Sequence, residues 1–104
     1  MATTPEGKFQ TKVAKLLNSL GDDCWFTVMQ AGSIRGLPDI LGCYKGHLFG
    51  WELKKNLAET RKQTGRIVLQ NYRIRKIRHA GGIGELVCPE TLAQKFQELL
   101  SSTL

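Results

Sequence analysis

Apolar residues recur along this chain with two different periods, and the change from one to the other marks out its elements. Phe9, Val13, Leu16, Leu17 and Leu20 fall at i, i+4, i+7, i+8 and i+11, the spacing of one buried helical stripe. Thr4-Pro5-Glu6 ahead of them reads as a helix start, with Thr4 as N-cap and Pro5 at the first helical position, and Gly21 reads as the stop. Cys24–Met29 is apolar and β-prone and predicts a strand, and Gln30–Gly36, carrying Gly32, Ser33 and Gly36, predicts a loop. Pro38–Tyr44 and His47–Lys54 are two further strand-like runs, joined by Lys45-Gly46 as a two-residue hairpin turn. Leu57–Gly65 is polar and irregular. Arg66–Ala80 predicts a helix stopped by Gly81-Gly82, with Ile67, Gln70, Ile74 and Ile77 on its inner stripe. Ile83–Cys88 predicts another strand. Pro89 and Glu90 open a last helix, with Leu92, Phe96, Leu99 and Leu100 on one face. The order α-β-β-β-α-β-α predicts an α/β fold with a central antiparallel hairpin in a mixed sheet. With no repeat or linker in sight, residues 1–104 are expected to form a single domain.

The hairpin turns this pattern into candidate chemistry. A two-residue turn sets Tyr44 opposite His47, and the same register sets Asp39 opposite Glu52. Directly opposed residues share a sheet face with Cβ atoms about 4.5–5.5 Å apart, where like charges destabilise the pair. A shared proton, a cation or a basic neighbour must compensate. Lys54 lies two residues beyond Glu52 and so falls on the same face. Two acids and an ammonium within reach of one another suit a hard divalent cation such as Mg²⁺ or Mn²⁺. The alternative is an exposed charge ladder. Against it stand the strongly apolar neighbours Ile40, Leu41, Leu48, Phe49, Trp51 and Leu53, which suit a central hairpin better than a solvated flap. The argument depends on the register, because a longer turn would move Glu52 to a diagonal position.

Other polar residues sit on apolar stripes. Gln70, an uncharged polar residue on a buried stripe, needs a partner, either in the hairpin or in the backbone. Glu6 heads the Phe9–Val13–Leu17 stripe, where a first-turn acid also favours the helix dipole by about 0.3–1 kcal/mol. Ser33 and Arg35 lie in the loop feeding Asp39, well placed to meet a phosphate, although Ser33 serves a turn equally well.

Charge adds a partner class. The net charge is +6 with a pI near 9.5. Nine of the fifteen basic residues fall in one stretch: Lys54, Lys55, Arg61, Lys62, Arg66, Arg73, Arg75, Lys76 and Arg78. Such a concentration can track a phosphate backbone, or simply solvate a helix face. Lys55, Arg61 and Lys62 are nearest in sequence to the carboxylates. Cys24, Cys43 and Cys88 have neither CxxC spacing nor a paired histidine pattern, so they read as small buried hydrophobes. No apolar run approaches the ~20 residues that cross a bilayer, and no leader pattern opens the chain, so a cytoplasmic protein is expected.

Gly36-Leu37-Pro38-Asp39, followed thirteen residues on by Glu52-Leu53-Lys54, resembles the PD…ExK signature of restriction-type nucleases. GLPDILGCYKGHLFGWELKK, the helix with Gln70, and HAGGIGELV together resemble the VRR-NUC family of the PD-(D/E)xK superfamily, from Glu6 to about Cys88. The resemblance implies a restriction-endonuclease-like fold shared with Holliday-junction resolvases, in a stand-alone copy of the domain. It also implies a metal-dependent DNA endonuclease acting on branched or structured DNA. Asp39 and Glu52 would be metal ligands with the backbone carbonyl of Leu53, Lys54 the catalytic lysine, Gln70 the helix residue near the site, and Glu6 an acid holding a metal or its water. Gly7 weakens the helix beside Glu6, which makes that assignment the loosest. Stand-alone members are often phage-encoded homodimers, implying a symmetric dimer in a host cytoplasm. Two other functions compete: a non-catalytic basic module that binds nucleic acid, and a nickase or exonuclease without junction preference.

Overall fold

A computed structural model describes residues 4–29, 36–62 and 65–102. Helix α1 spans Pro5–Asn18. Thr4 caps it as the sequence predicts, accepting a 3.0 Å hydrogen bond from the Gly7 N–H, with Pro5 in the first turn. The helix ends before Gly21, at Ser19; Gly21 instead opens a short 3₁₀ turn, Gly21–Asp23. Strands β1 (Cys24–Val28), β2 (Ile40–Tyr44), β3 (His47–Leu53) and β4 (Ile83–Val87) form one sheet in that spatial order. The first three pair antiparallel, and β4 joins β3 in parallel. Helix α2 (Gly65–His79) supplies the crossover between β3 and β4, and α3 (Leu92–Ser101) closes the chain. The predicted element order and the mixed sheet around a hairpin are therefore observed.

The hairpin turn has the predicted length. Tyr44 pairs with His47, and Lys45 and Gly46 both adopt positive φ (46° and 86°), as a two-residue turn matched to strand twist requires. Three details differ from expectation. The stretch after β3 contains a 3₁₀ turn at Ala58–Arg61, held by the Asn56 side chain, which accepts from the Glu59 N–H at 3.0 Å. The last helix begins at Leu92, two residues beyond Glu90. Thr91 spends its hydroxyl on the Cys88 backbone, and Glu90 accepts from the distant Leu57 N–H. Of the cysteines, only Cys88 is fully buried; Cys24 and Cys43 are half-buried, on the edge strand β1 and the adjacent β2 respectively.

Strand alternation divides the sheet into two chemically distinct faces. Ile40, Tyr44, Phe49, Trp51 and Val87 face α1 and α3, which contribute Phe9, Val13, Leu17, Leu92 and Leu99 to the main core. Val13, Leu17 and Leu99 are wholly buried, each worth roughly 1.5–3 kcal/mol of transfer free energy. The opposite face receives α2. That helix lies so close that a Cβ on Gly84 would stand 2.7 Å from the Ile74 carbonyl oxygen, and one on Gly50 2.8 Å from the Ile77 side chain. Glycine at these two positions lets the backbone of α2 settle onto β3 and β4. Ile67, Gln70 and Ile74 are buried in that contact, as their spacing predicts. A Schellman end stops α2 at the Gly81-Gly82 pair: the Gly82 N–H reaches the Ile77 carbonyl at 2.9 Å and the Gly81 N–H reaches Arg78 at 3.0 Å.

Candidate active site

Asp39 stands one residue before β2, at the position the register sets opposite Glu52. Its placement is fixed twice. Its carbonyl accepts from the Met29 N–H at 2.8 Å, which continues the β1–β2 ladder. Its Oδ2 accepts from the Leu53 N–H at 2.8 Å, which pins the carboxylate across to β3. Alternation sends Glu52 to the same face, away from the apolar core, because Trp51 beside it points into that core.

Glu52 is 4% exposed, and its Oε1 has no hydrogen-bond partner among the described residues. Its Oε2 lies 3.5 Å from the Lys54 Nζ. Burial is the first cause that pushes its carboxyl up to about 7, and the neighbouring charge of Asp39 adds to it; Lys54 pulls the other way without compensating. The predicted repulsion between the two acids is thus present, and Lys54 is the basic neighbour.

Gln70 resolves an alternative that its sequence position left open. Its Oε1 accepts from the Lys54 Nζ at 2.8 Å, so among the described residues this oxygen serves the hairpin lysine. The lysine side chain is only 11% exposed, stretched between Glu52 and Gln70. Helix α2 therefore holds the ammonium in one orientation beside the carboxylate pair.

These groups open onto a cavity of about 480 Å³. Asp39, Glu52 and Lys54 form its floor, Gln70 one wall, and Glu6 and Gln10 of α1 another. Glu6 is exposed at the rim, one helical turn from Gln10. Leu53 also lines the cavity, as does Lys62. Lys55 and Arg61 are exposed on the turn beside it, outside the cavity wall. Ser33 and Arg35 lie outside the described residues.

Three lining residues were not singled out from the sequence: Gln10, Glu59 and Ile67. Gln10 follows Glu6 at i+4, a spacing that shares a helix face. Glu59 stands between Lys55 and Lys62 at i−4 and i+3, but that pattern carries meaning only once the segment coils. Ile67 lies on the predicted inner stripe and is also buried core.

The donor set suits a hard divalent cation. It offers a carboxylate oxygen with no partner among the described residues, a second carboxylate close enough to raise the first one's pKa, and a cavity that both residues line. Among the described residues no group of three or more acidic, histidine or cysteine side chains converges, so the protein would supply two carboxylates and backbone oxygen while water fills the rest.

A solved structure described as a VRR_NUC domain matches the fold over 96% of this chain and 98% of its own, with a TM-score of 0.63 at 23% sequence identity. No family model and no curated protein matches the sequence. Among the described residues no helix is long and apolar enough to cross a membrane. This chain has the fold of a VRR_NUC domain, a small restriction-endonuclease-like α/β unit.

Proposed function

We propose that the chain is a metal-dependent DNA endonuclease of the VRR-NUC family, hydrolysing phosphodiester bonds in branched or structured DNA such as Holliday junctions. The observation that carries this reading is the buried Glu52 Oε1, without a partner among the described residues, beside the Asp39 carboxylate, with Lys54 held next to Glu52 by Gln70. A module that only bound phosphates would have no use for two carboxylates at the base of its cavity. The fold likeness supports a nuclease, and the resemblance of the GLPD…ELK segment to the family supports the junction preference and a homodimer.

Asp39 and Glu52, with the Leu53 carbonyl, would hold Mg²⁺ or Mn²⁺, and Glu6 would reach it through water from the cavity rim. Such an ion supplies Lewis-acid polarisation of the phosphate and a more acidic water. The protein's own groups do the rest. Lys54 presents its ammonium to the charge that builds on the phosphate, and donates to or orients the attacking water. Gln70 keeps that ammonium aimed, since its carbonyl oxygen takes one of the three lysine protons. Ser33, Arg35, Lys55, Arg61 and Lys62 supply positive or hydrogen-bonding contacts along the DNA backbone.

Cleavage of labelled four-way-junction and linear duplex DNA, with Mg²⁺, Mn²⁺ or EDTA, tests the reading. Wild type cuts the junction with metal and not with EDTA, and Asp39→Asn does not cut. Equal cutting of both substrates would point to a nickase or exonuclease without junction preference. A folded, metal-supplied protein that binds DNA and cuts nothing would be a binding module.

A further inference from the structure

The turn after β3 carries a carboxylate, Glu59, that the proposed hydrolysis does not use. Glu59, on the 3₁₀ turn Ala58–Arg61, reaches the Lys62 Nζ at 2.9 Å and the Lys55 Nζ at 3.8 Å. Both lysine side chains are 55% exposed, whereas the glutamate between them is 20% exposed. The turn is anchored from two directions, by Asn56 capping the Glu59 N–H and by the Glu90 carboxylate accepting from the Leu57 N–H at 3.0 Å. Glu59 and Lys62 line the same cavity as Asp39 and Glu52. A carboxylate bridging two ammoniums at the rim of that cavity presents the charge sign and the acceptor oxygens of a phosphodiester. Exposed lysine–glutamate pairs of this kind are weak and screened by salt, so another anion can replace the carboxylate.

We infer that Glu59 is a displaceable stand-in for a backbone phosphate. It holds Lys62 at the cavity and Lys55 beside it in the free protein, and a phosphodiester of the bound nucleic acid takes its place. The inference rests on the nucleic-acid reading of the cavity and makes Glu59 a positioning residue. It has a thermodynamic signature. Lys55, Glu59 and Lys62 together carry a net charge of +1, and the displaced carboxylate gathers a cation when the phosphate arrives. That uptake offsets one of the counterions that the lysines release from DNA.

The test is equilibrium binding of a short labelled DNA duplex in EDTA, as a function of salt, by wild type, Glu59→Gln, Lys62→Gln and the double variant. Asp22→Asn, an equal charge change on the exposed Gly21–Asp23 turn, is the control. Glu59→Gln is expected to bind more tightly at low salt, with a salt slope steeper by about 0.9. Its advantage then shrinks about threefold between about 50 and about 200 mM salt. Asp22→Asn is expected to follow wild type, and the Glu59→Gln gain to fall when Lys62 is already lost. Glu59→Ala reads the same way and guards against a folding defect in one variant. Three results would overturn the inference: equal shifts in Glu59→Gln and Asp22→Asn, a Glu59 effect that persists undiminished without Lys62, or an unchanged slope in Glu59→Gln when wild type binds DNA normally. If wild type itself binds no DNA, the nucleic-acid reading falls along with it.

Discussion

Trp51 and Glu52 are neighbours in β3, yet they face opposite sides of the sheet, and each buries a polar atom that has no partner among the described residues. The Trp51 indole N–H sits in the main core, its ring packed edge-to-face with Phe49 at 5.8 Å between centroids. It is neutral, and leaving it unpaired costs about 1–3 kcal/mol, offset by the area the ring buries. The Glu52 oxygen is different in kind. It belongs to an acid, that acid lies beside a second one, and both residues line a cavity. No packing gain accounts for that arrangement, because a glutamine or an apolar residue would fill the space at lower cost. Under the proposed function, the Trp51 N–H is a tolerated defect of an apolar core, whereas the Glu52 carboxylate is kept for the cation it would bind.

The largest effect that separates the two residues is on activity. Glu52→Gln forfeits several kcal/mol of transition-state charge stabilisation, a loss of about 10³-fold or more in cleavage rate, while thermal melting stays level or rises. A Glu52→Gln protein that cuts as well as wild type would place the carboxylate outside the chemistry. Trp51→Ala should do the reverse, lowering stability by about 3–5 kcal/mol in denaturant titrations, while Trp51→Phe loses far less because it keeps the ring and removes the orphaned N–H. Should Trp51→Phe prove as damaging as Trp51→Ala, the indole N–H has a partner that matters.

A pH titration of stability in EDTA reads the same contrast. The Glu52 carboxyl is raised from 4.5 to about 7, so the folded protein binds its proton more tightly than the unfolded chain does. That contribution is fully present below pH 4.5 and is lost as pH rises through about 7, by about 3 kcal/mol in total. Glu52→Gln should flatten this component, and saturating Mg²⁺ or Mn²⁺ should offset it in the wild type. The smallest effect is expected at Gln70. Gln70→Ala leaves Lys54 unaimed and should lower the cleavage rate by about tenfold, equivalent to about 1.4 kcal/mol, with little change in DNA affinity. A change confined to affinity would remove Gln70 from the positioning of Lys54.

Much of this was legible in the sequence, for a physical reason. The Lys45-Gly46 turn fixes the hairpin length, the hairpin length fixes the register, and strand alternation then brings Asp39, Glu52 and Lys54 to one face. Each step is local. What the sequence left open depends on docking between distant elements. Gln70 could be placed on a buried stripe, but its choice of Lys54 over backbone follows from where α2 lands, and Gly50 and Gly84 decide that landing. Helix α3 starts later than its sequence predicts because Glu90 is committed to Leu57, thirty-three residues earlier in the chain. Glu59 carried no signal until its segment coiled and brought Lys55 and Lys62 around it.

The most direct measurement is calorimetric titration of Mn²⁺ into wild type and Glu52→Gln at neutral pH, without DNA. The account predicts saturable binding by wild type with proton release, because ligation must displace the proton that Glu52 holds up to about pH 7, and loss of both heat and proton release in the variant. Identical titrations for the two folded proteins, or no saturable binding by wild type, would contradict the claim that the carboxylate pair is a metal site.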